Sequence, residues 1–210
     1  MKNAGEMYYT REPSSESKPV PCSFTYRGHA LKFVTDSGVF SRGELDQGSK
    51  LLLEALPELK GDVLDLGCGW GALGIAIGKA NPEAHVTMVD VNLRALELCR
   101  NNADANGVAV TCLESDGLKA VAGRLFDSIV TNPPIRAGKQ KVYEMLGDAS
   151  GSLRPGGSLF LVIRKQQGAE SCIRYLSGRF ASVEKLDRSG GFWVLEAREP
   201  KTDEGEEEHV

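Results

Sequence analysis

With 210 residues, 41% of them hydrophobic, the chain is long enough to bury one sizeable core, and no run reaches the roughly 20 apolar residues of a membrane span. The five cysteines (22, 68, 99, 112 and 172) and three histidines are scattered without a CxxC pair or cluster, which argues against a disulfide framework or metal centre and for a reducing, cytoplasmic setting without an apolar leader. The net charge of −4 argues against a nucleic-acid partner at first sight, but residues 199–210 alone hold six acids against one base, leaving the rest of the chain at about +1.

Residues 1–19 are polar and proline-punctuated and are expected to form an N-terminal arm, with Tyr8 and Tyr9 as candidate anchors. Alternation over 22–27 and 30–35 around Gly28-His29 predicts a β-hairpin. Leu45, Leu52, Leu53 and Leu56 recur at helical spacing, and Pro57 stops them. From Asp62 onward, apolar strands at 63–66, 86–90, 108–113, 128–131 and 158–163 alternate with amphipathic helices. One helix carries Leu73, Ala76, Ile77 and Ala80. The next opens on Asn92 as cap and closes at Asn106-Gly107, and two more are expected near 139–153 and 169–178. Strands 183–186 and 192–197 flank Ser189-Gly190-Gly191 as a hairpin, so one strand at the sheet's edge should run antiparallel. This is an α/β pattern: a doubly wound, mostly parallel sheet covered on both faces. The expected domain spans 20–198, followed by an acidic, disordered tail over 199–210.

In a doubly wound sheet, ligands bind beyond the carboxyl ends of the strands. There the chain places Asp65-Leu66-Gly67-Cys68-Gly69-Trp70-Gly71, where Gly67, Gly69 and Gly71 allow a sharp turn and close approach to a ligand. Asp90 ends the second strand, placed to accept from ribose hydroxyls, and Asp116 follows the third, placed to accept from an adenine amine. Their neighbours Val91 and Gly117, with Cys68 in the loop, complete the candidate cofactor wall. Gly67-x-Gly69-x-x-Ala72 also satisfies a permissive dinucleotide fingerprint. Asp65 tells against that reading, because a carboxylate near the turn repels a pyrophosphate. It can instead accept from the ammonium of S-adenosylmethionine (SAM), which carries no phosphate.

A second segment, Asn132-Pro133-Pro134, follows the strand over 128–131 on the same edge. It offers acceptors in a stiff frame: the Asn132 side-chain oxygen and the Pro133 carbonyl. The exocyclic amine of a purine is a poor nucleophile because its lone pair is conjugated into the ring. Two acceptors gripping its hydrogens favour a pyramidal nitrogen, so that alignment and electrostatic stabilisation carry the catalysis.

With these motifs the chain resembles the class I SAM-dependent methyltransferases, and within them the methyltransferase small domain group of ribosomal RNA guanine-N2 methyltransferases. Asp36-Ser37-Gly38-Val39-Phe40-Ser41, Asp46-x-Gly48 and the stretch from Asn132 to Lys139 are similar to that group's signatures, over about residues 6–198. The resemblance implies a seven-stranded Rossmann-like sheet. It also implies Asp65, Gly67, Gly69, Asp90 and Asp116 at SAM, Asn132 at the target amine, and Phe40, Ser41 and Gly48 near the cofactor. Two departures stand out. The larger enzymes carry a second, cofactor-free domain for which this chain has no room. Ile135 also stands where many base methyltransferases have Tyr or Phe, so stacking on the base must come from elsewhere, Phe40 or an aliphatic contact.

Arg136, Lys139 and Lys141 follow the catalytic segment, and Arg164 and Lys165 close the fifth strand on the same edge; Arg11, Arg27 and Arg42 are further candidates for the rim. Phe192 and Trp193 read as core, while Trp70 reads either as a lid on the cofactor or as filler. The expected activity is methylation of guanine N2 in ribosomal RNA, free or in a small-subunit particle, by a monomer or homodimer. Adenine N6, a glutamine amide and a SAM-binding RNA factor without turnover are the alternatives, with a nicotinamide dehydrogenase more distant.

Overall fold

The computed structural model describes residues 10–201. Tyr8, Tyr9 and the acidic stretch from 202 onward lie outside the described residues. β1 (Val20–Tyr26) and β2 (His29–Thr35) form the hairpin, with Tyr26 opposite His29. Its turn is Arg27-Gly28, one residue earlier than Gly28-His29, with φ of 44° and 81°. Two successive positive φ values match the twist of a two-residue hairpin. The outer edge of β2 is covered by helix α3 (Leu93–Asn106). Asn102 Oδ1 accepts from Val34 N at 2.8 Å and its Nδ2 donates to Val34 O at 3.0 Å. Asn106 makes the same pair of bonds with Lys32. These two side-chain amides stand in for a missing strand.

The main sheet holds β3 (Gly61–Leu66), β4 (Ala84–Asp90), β5 (Val110–Glu114), β6 (Phe126–Thr131), β7 (Leu153–Arg164), β8 (Phe180–Ser189) and β9 (Phe192–Pro200), in the order β5-β4-β3-β6-β7-β9-β8. Successive residues of its central strands point to opposite cores: Val63, Met88 and Val130 to one, Leu64, Val89 and Ile129 to the other. Helices α1 (Gln47–Ala55), α2 (Ala72–Ala80) and α3 seal the first face together with the hairpin; α4 (Lys139–Ser150) and α5 (Ala169–Ser177) seal the second. The seven-stranded, mostly parallel, Rossmann-like sheet with an N-terminal hairpin is as expected.

β9 runs antiparallel to both its neighbours and lies one position in from the edge. Its Val194 and Leu195 are fully buried and need cover on both sides, whereas β8 carries exposed Glu184, Lys185, Asp187 and Arg188, residues suited to an unpaired edge. β7 begins at Leu153, five residues before the expected start, and β9 continues through Pro200, beyond the expected domain limit at 198. Lys201 N then donates to Arg179 O at 2.8 Å. The described part of the arm is pinned across the start of α3. Arg11 O accepts from Leu93 N, and Arg94 donates to Ser15 O at 2.8 Å. No helix among the described residues is long and apolar enough to cross a membrane.

Candidate active site

The winding of the sheet reverses between β3 and β6, which pair in parallel with Asp65 opposite Val130. At this point the strand ends diverge, and Thr131 Oγ1 donates to Leu66 O at 2.7 Å across the gap. The glycine loop leaves one strand and Asn132-Pro133-Pro134 leaves the other, and a cavity of about 980 Å³ opens between them. That volume suits a nucleoside-sized ligand with room for a second group.

The loop crosses β4, with Gly67 N and Cys68 N both donating to Val89 O at 2.9 and 3.0 Å. Gly69 N donates to Asp90 Oδ2 at 2.8 Å, while Asp90 Oδ1 accepts from Asn92 N at 2.9 Å. Burial raises the Asp90 carboxyl above its ordinary range, and the N–H groups of Asn92, Gly69 and Val91 oppose that shift. Gly67 and Gly69 have φ of 78° and 54°, and a Cβ on either would meet no protein atom within 4 Å. The space above them is the cavity, which Cys68, Asp90 and Val91 also line. Gly71 differs: its Cβ would come within 2.7 Å of Ile75 Cδ1, so it serves the packing of α2 and is not a cavity wall.

Asp65 is also not a wall. It is fully buried behind the loop, where Oδ2 accepts from Gly74 N at 2.8 Å. Oδ1 is buried with no hydrogen-bond partner among the described residues. Burial pushes its carboxyl up to about 7, against the Gly74 hydrogen bond and with a further push from the charge of Asp90. Such an orphaned buried oxygen calls for a donor. At the other end of the cavity, Asp116 and Gly117 line the wall. The Asp116 carboxylate is held below its usual range by a hydrogen bond from Lys119 at 2.7 Å and by the charge of Lys141 at 3.5 Å.

Asn132 is gripped from α1. Its Nδ2 donates to Ser49 Oγ at 2.9 Å and lies 3.3 Å from each carboxylate oxygen of Asp46. Asp46 is itself the N-cap of α1, its Oδ1 accepting from Gly48 N and Ser49 N. Pro133 and Pro134 line the cavity, and Pro133 O accepts from Ile135 N at 2.8 Å, which takes one of its two lone pairs. Gly48 sits under the wall: a Cβ there would lie 2.9 Å from Phe192 Cε1.

Phe40 and Ser41 line the mouth, and Phe40 is 36% exposed. Trp70 is not a lid. It is buried, and its Nε1 donates to Phe40 O at 2.9 Å, tying the glycine loop to the mouth. Among the bases, Arg136, Lys139, Lys141 and Arg164 line the cavity. Lys165 does not; its Nζ faces the Trp193 ring at 5.9 Å. Arg11, Arg27 and Arg42 are not on the wall either. They bond Glu114, the Leu56 carbonyl and the Lys18 carbonyl. Phe192, expected in the core, is buried yet faces the cavity under the Arg164 guanidinium, 4.3 Å from its ring centroid. Sequence reasoning missed the part played by Asp46 and Ser49; the Asp46-x-Gly48 motif was the available signal. Among the described residues, no group of three or more His, Cys, Asp or Glu side chains could hold a metal ion.

A doubly wound sheet with a glycine loop and an Asn-Pro-Pro segment at its switch point is the architecture of a Rossmann-like methyltransferase. The chain belongs to the methyltransferase small domain family, whose model matches residues 30–196. It is 39% identical over 197 residues to the uncharacterized protein YbxB of Bacillus subtilis, covering 92% of this chain and 98% of that protein. It is 43% identical over 140 residues to ribosomal RNA small subunit methyltransferase C of Hahella chejuensis, covering 64% of this chain but 41% of the relative. Among solved structures, the Thermus thermophilus 16S rRNA N2 G1207 methyltransferase RsmC, in complex with AdoMet and guanosine, superposes with a TM-score of 0.77 at 32% identity. That match covers 88% of this chain and 50% of the other. The chain thus spans about half the length, or less, of the methyltransferases C it matches here.

Proposed function

We propose that this protein transfers a methyl group from SAM to an exocyclic nucleobase amine, guanine N2 in small-subunit ribosomal RNA. The observation that carries this reading is the Asn132 amide, held by Ser49 and Asp46 beside a glycine loop that opens onto the same cavity. The residues fit the cofactor. Open space above Gly67 and Gly69 admits a ligand against the backbone, and Asp90 and Asp116 offer acceptors for ribose hydroxyls and an adenine amine. The unpaired oxygen of Asp65 adds an unfilled acceptor behind the loop. When bound, SAM supplies an electrophilic methyl group on a sulfonium.

The chain's own part is to hold and polarise the amine. Asn132 Oδ1 and the free lone pair of the Pro133 carbonyl accept its two hydrogens, drawing the nitrogen towards a pyramidal shape with its lone pair released. The proton lost afterwards passes to solvent at the open mouth. Exposed Phe40, together with Ile135 on the wall, offers the apolar surface against which a base can lie. Arg136, Lys139 and Arg164 supply cations for backbone phosphates. Guanine N2 is favoured by the kinship with the methyltransferases C and by the guanosine in the Thermus complex. The setting is cytoplasmic, and the partner is ribosomal RNA or a small-subunit particle.

Mass spectrometry of 16S ribosomal RNA nucleosides from a strain lacking this protein tests the substrate. The expected result is the loss of one N2-methylguanosine. A full complement of N2-methylguanosine, with loss of N6-methyladenosine or of a methylated glutamine instead, overturns it.

A further inference from the structure

We infer that Asp46 and Ser49 are positioning residues that fix the Asn132 amide with its oxygen towards the amine. The inference rests on the proposed role of Asn132. An asparagine side chain has two faces of opposite character, and a rotation of 180° exchanges acceptor for donor. Only one orientation suits an amine whose hydrogens need acceptors. In this site the choice is made by α1. The Asp46 carboxylate can only accept, and both of its oxygens lie 3.3 Å from Asn132 Nδ2. Turning the amide over would set its carbonyl oxygen against that carboxylate. Ser49, 5% exposed, adds an acceptor at 2.9 Å. Nδ2 is therefore committed to the α1 side, and Oδ1 remains as the acceptor that Asn132 presents to the cavity.

The anchor is itself held. Asp46 Oδ1 accepts from Gly48 N at 2.9 Å and from Ser49 N at 3.2 Å, so the capping of α1 and the orientation of Asn132 use one carboxylate. This links the Asp46-x-Gly48-Ser49 segment to the Asn-Pro-Pro segment, which lies more than eighty residues away in the chain.

Asp46→Asn separates the two tasks. Asparagine caps a helix as well as aspartate does and keeps the Oδ1 acceptor, but it puts an NH₂ group in place of Oδ2, 3.3 Å from the NH₂ of Asn132, donor against donor. Small ribosomal subunits from the deletion strain and tritiated SAM provide the assay, with SAM affinity measured by calorimetry. Asp46→Asn should lower kcat by about 10- to 100-fold, the scale of a misplaced catalytic group, with SAM Kd within about twofold of wild type. Ser49→Ala should do the same to a smaller degree. In the Asn132→Ala background, Asp46→Asn should cost no further activity, because there is no amide left to orient.

Wild-type kcat for Asp46→Asn and Ser49→Ala, beside a crippled Asn132→Ala, overturns this inference and leaves the proposed function standing. Losses that multiply in the double variant also overturn it, since they mean a direct or merely structural role. Wild-type turnover by Asn132→Ala overturns the proposed role of Asn132 and this inference together.

Discussion

Thr131 Oγ1 and Leu66 O, 2.7 Å apart and both buried, join the ends of β6 and β3 where backbone pairing stops. Each strand leaves this bond for one of the two functional segments. The glycine loop and the Asn-Pro-Pro segment thus diverge from a point bridged by one buried side-chain hydrogen bond.

Thr131→Val keeps the shape and removes the donor, leaving the Leu66 carbonyl without it. The expected cost is about 1–3 kcal/mol of stability, the penalty for an unsatisfied buried polar group, with the urea m-value unchanged. SAM affinity and turnover should both fall, because the two segments are free to splay. A variant equal to wild type in all three measurements would show that the strand ends are held by packing alone.

Gly69→Val places a branched side chain at φ 54° and in the space above the loop. SAM binding by calorimetry should be lost, while the backbone strain costs about 1–2 kcal/mol. Wild type should bind SAM and not NADH, since the Asp90 carboxylate that accepts from Gly69 N at 2.8 Å stands where a pyrophosphate would have to approach the loop. Tight NADH binding with no SAM signal would reverse the cofactor assignment.

Asp65 makes a pH-dependent prediction. Its carboxyl titrates at about 7 in the native protein against an ordinary 3.8. Between those values the native state keeps a proton that the unfolded chain releases, so this group's contribution to stability falls as pH rises through the window. The loss by pH 8 is on the order of 4 kcal/mol. Asp65→Asn retains an acceptor for Gly74 N and removes the titration. In urea unfolding, the variant should match wild type below about pH 3.8 and exceed it at pH 8. Parallel stability profiles would mean that Asp65 stays ionised at no cost.

Local chemistry was legible in the sequence. Asn92 does cap α3 by accepting from Ala95 N, and Gly107 closes it at φ 62°, because caps are decided by residues three or four apart. The switch-point motifs were legible for the same reason, each being a strand end followed by its own turn. What could not be read depends on distant pairing. The grip of Asp46 and Ser49 on Asn132 is one such case. Another is the early start of β7, where Arg154 bridges Asp62 of β3 and Asp127 of β6 at 2.7 and 2.8 Å. The position of β9 inside β8 follows from burial on both faces, which alternation within a single strand does not reveal.

Arg136→Glu with Lys139→Glu reverses charge on the cavity wall without touching the glycine loop. Binding to ribosomal RNA in a filter assay should weaken at least tenfold at low salt and lose about two units of salt slope; SAM affinity should stay within about twofold. Unchanged RNA binding would move the RNA surface elsewhere.

The most direct measurement is methyl transfer itself. Purified protein is incubated with tritiated SAM and small ribosomal subunits from the deletion strain, and the RNA is then digested to nucleosides. Wild type should place label in N2-methylguanosine, and Asn132→Ala should be slower by on the order of 100-fold or more at nearly unchanged SAM affinity. Label on protein with none on RNA, or Asn132→Ala turning over at the wild-type rate, would contradict amine methylation at this site.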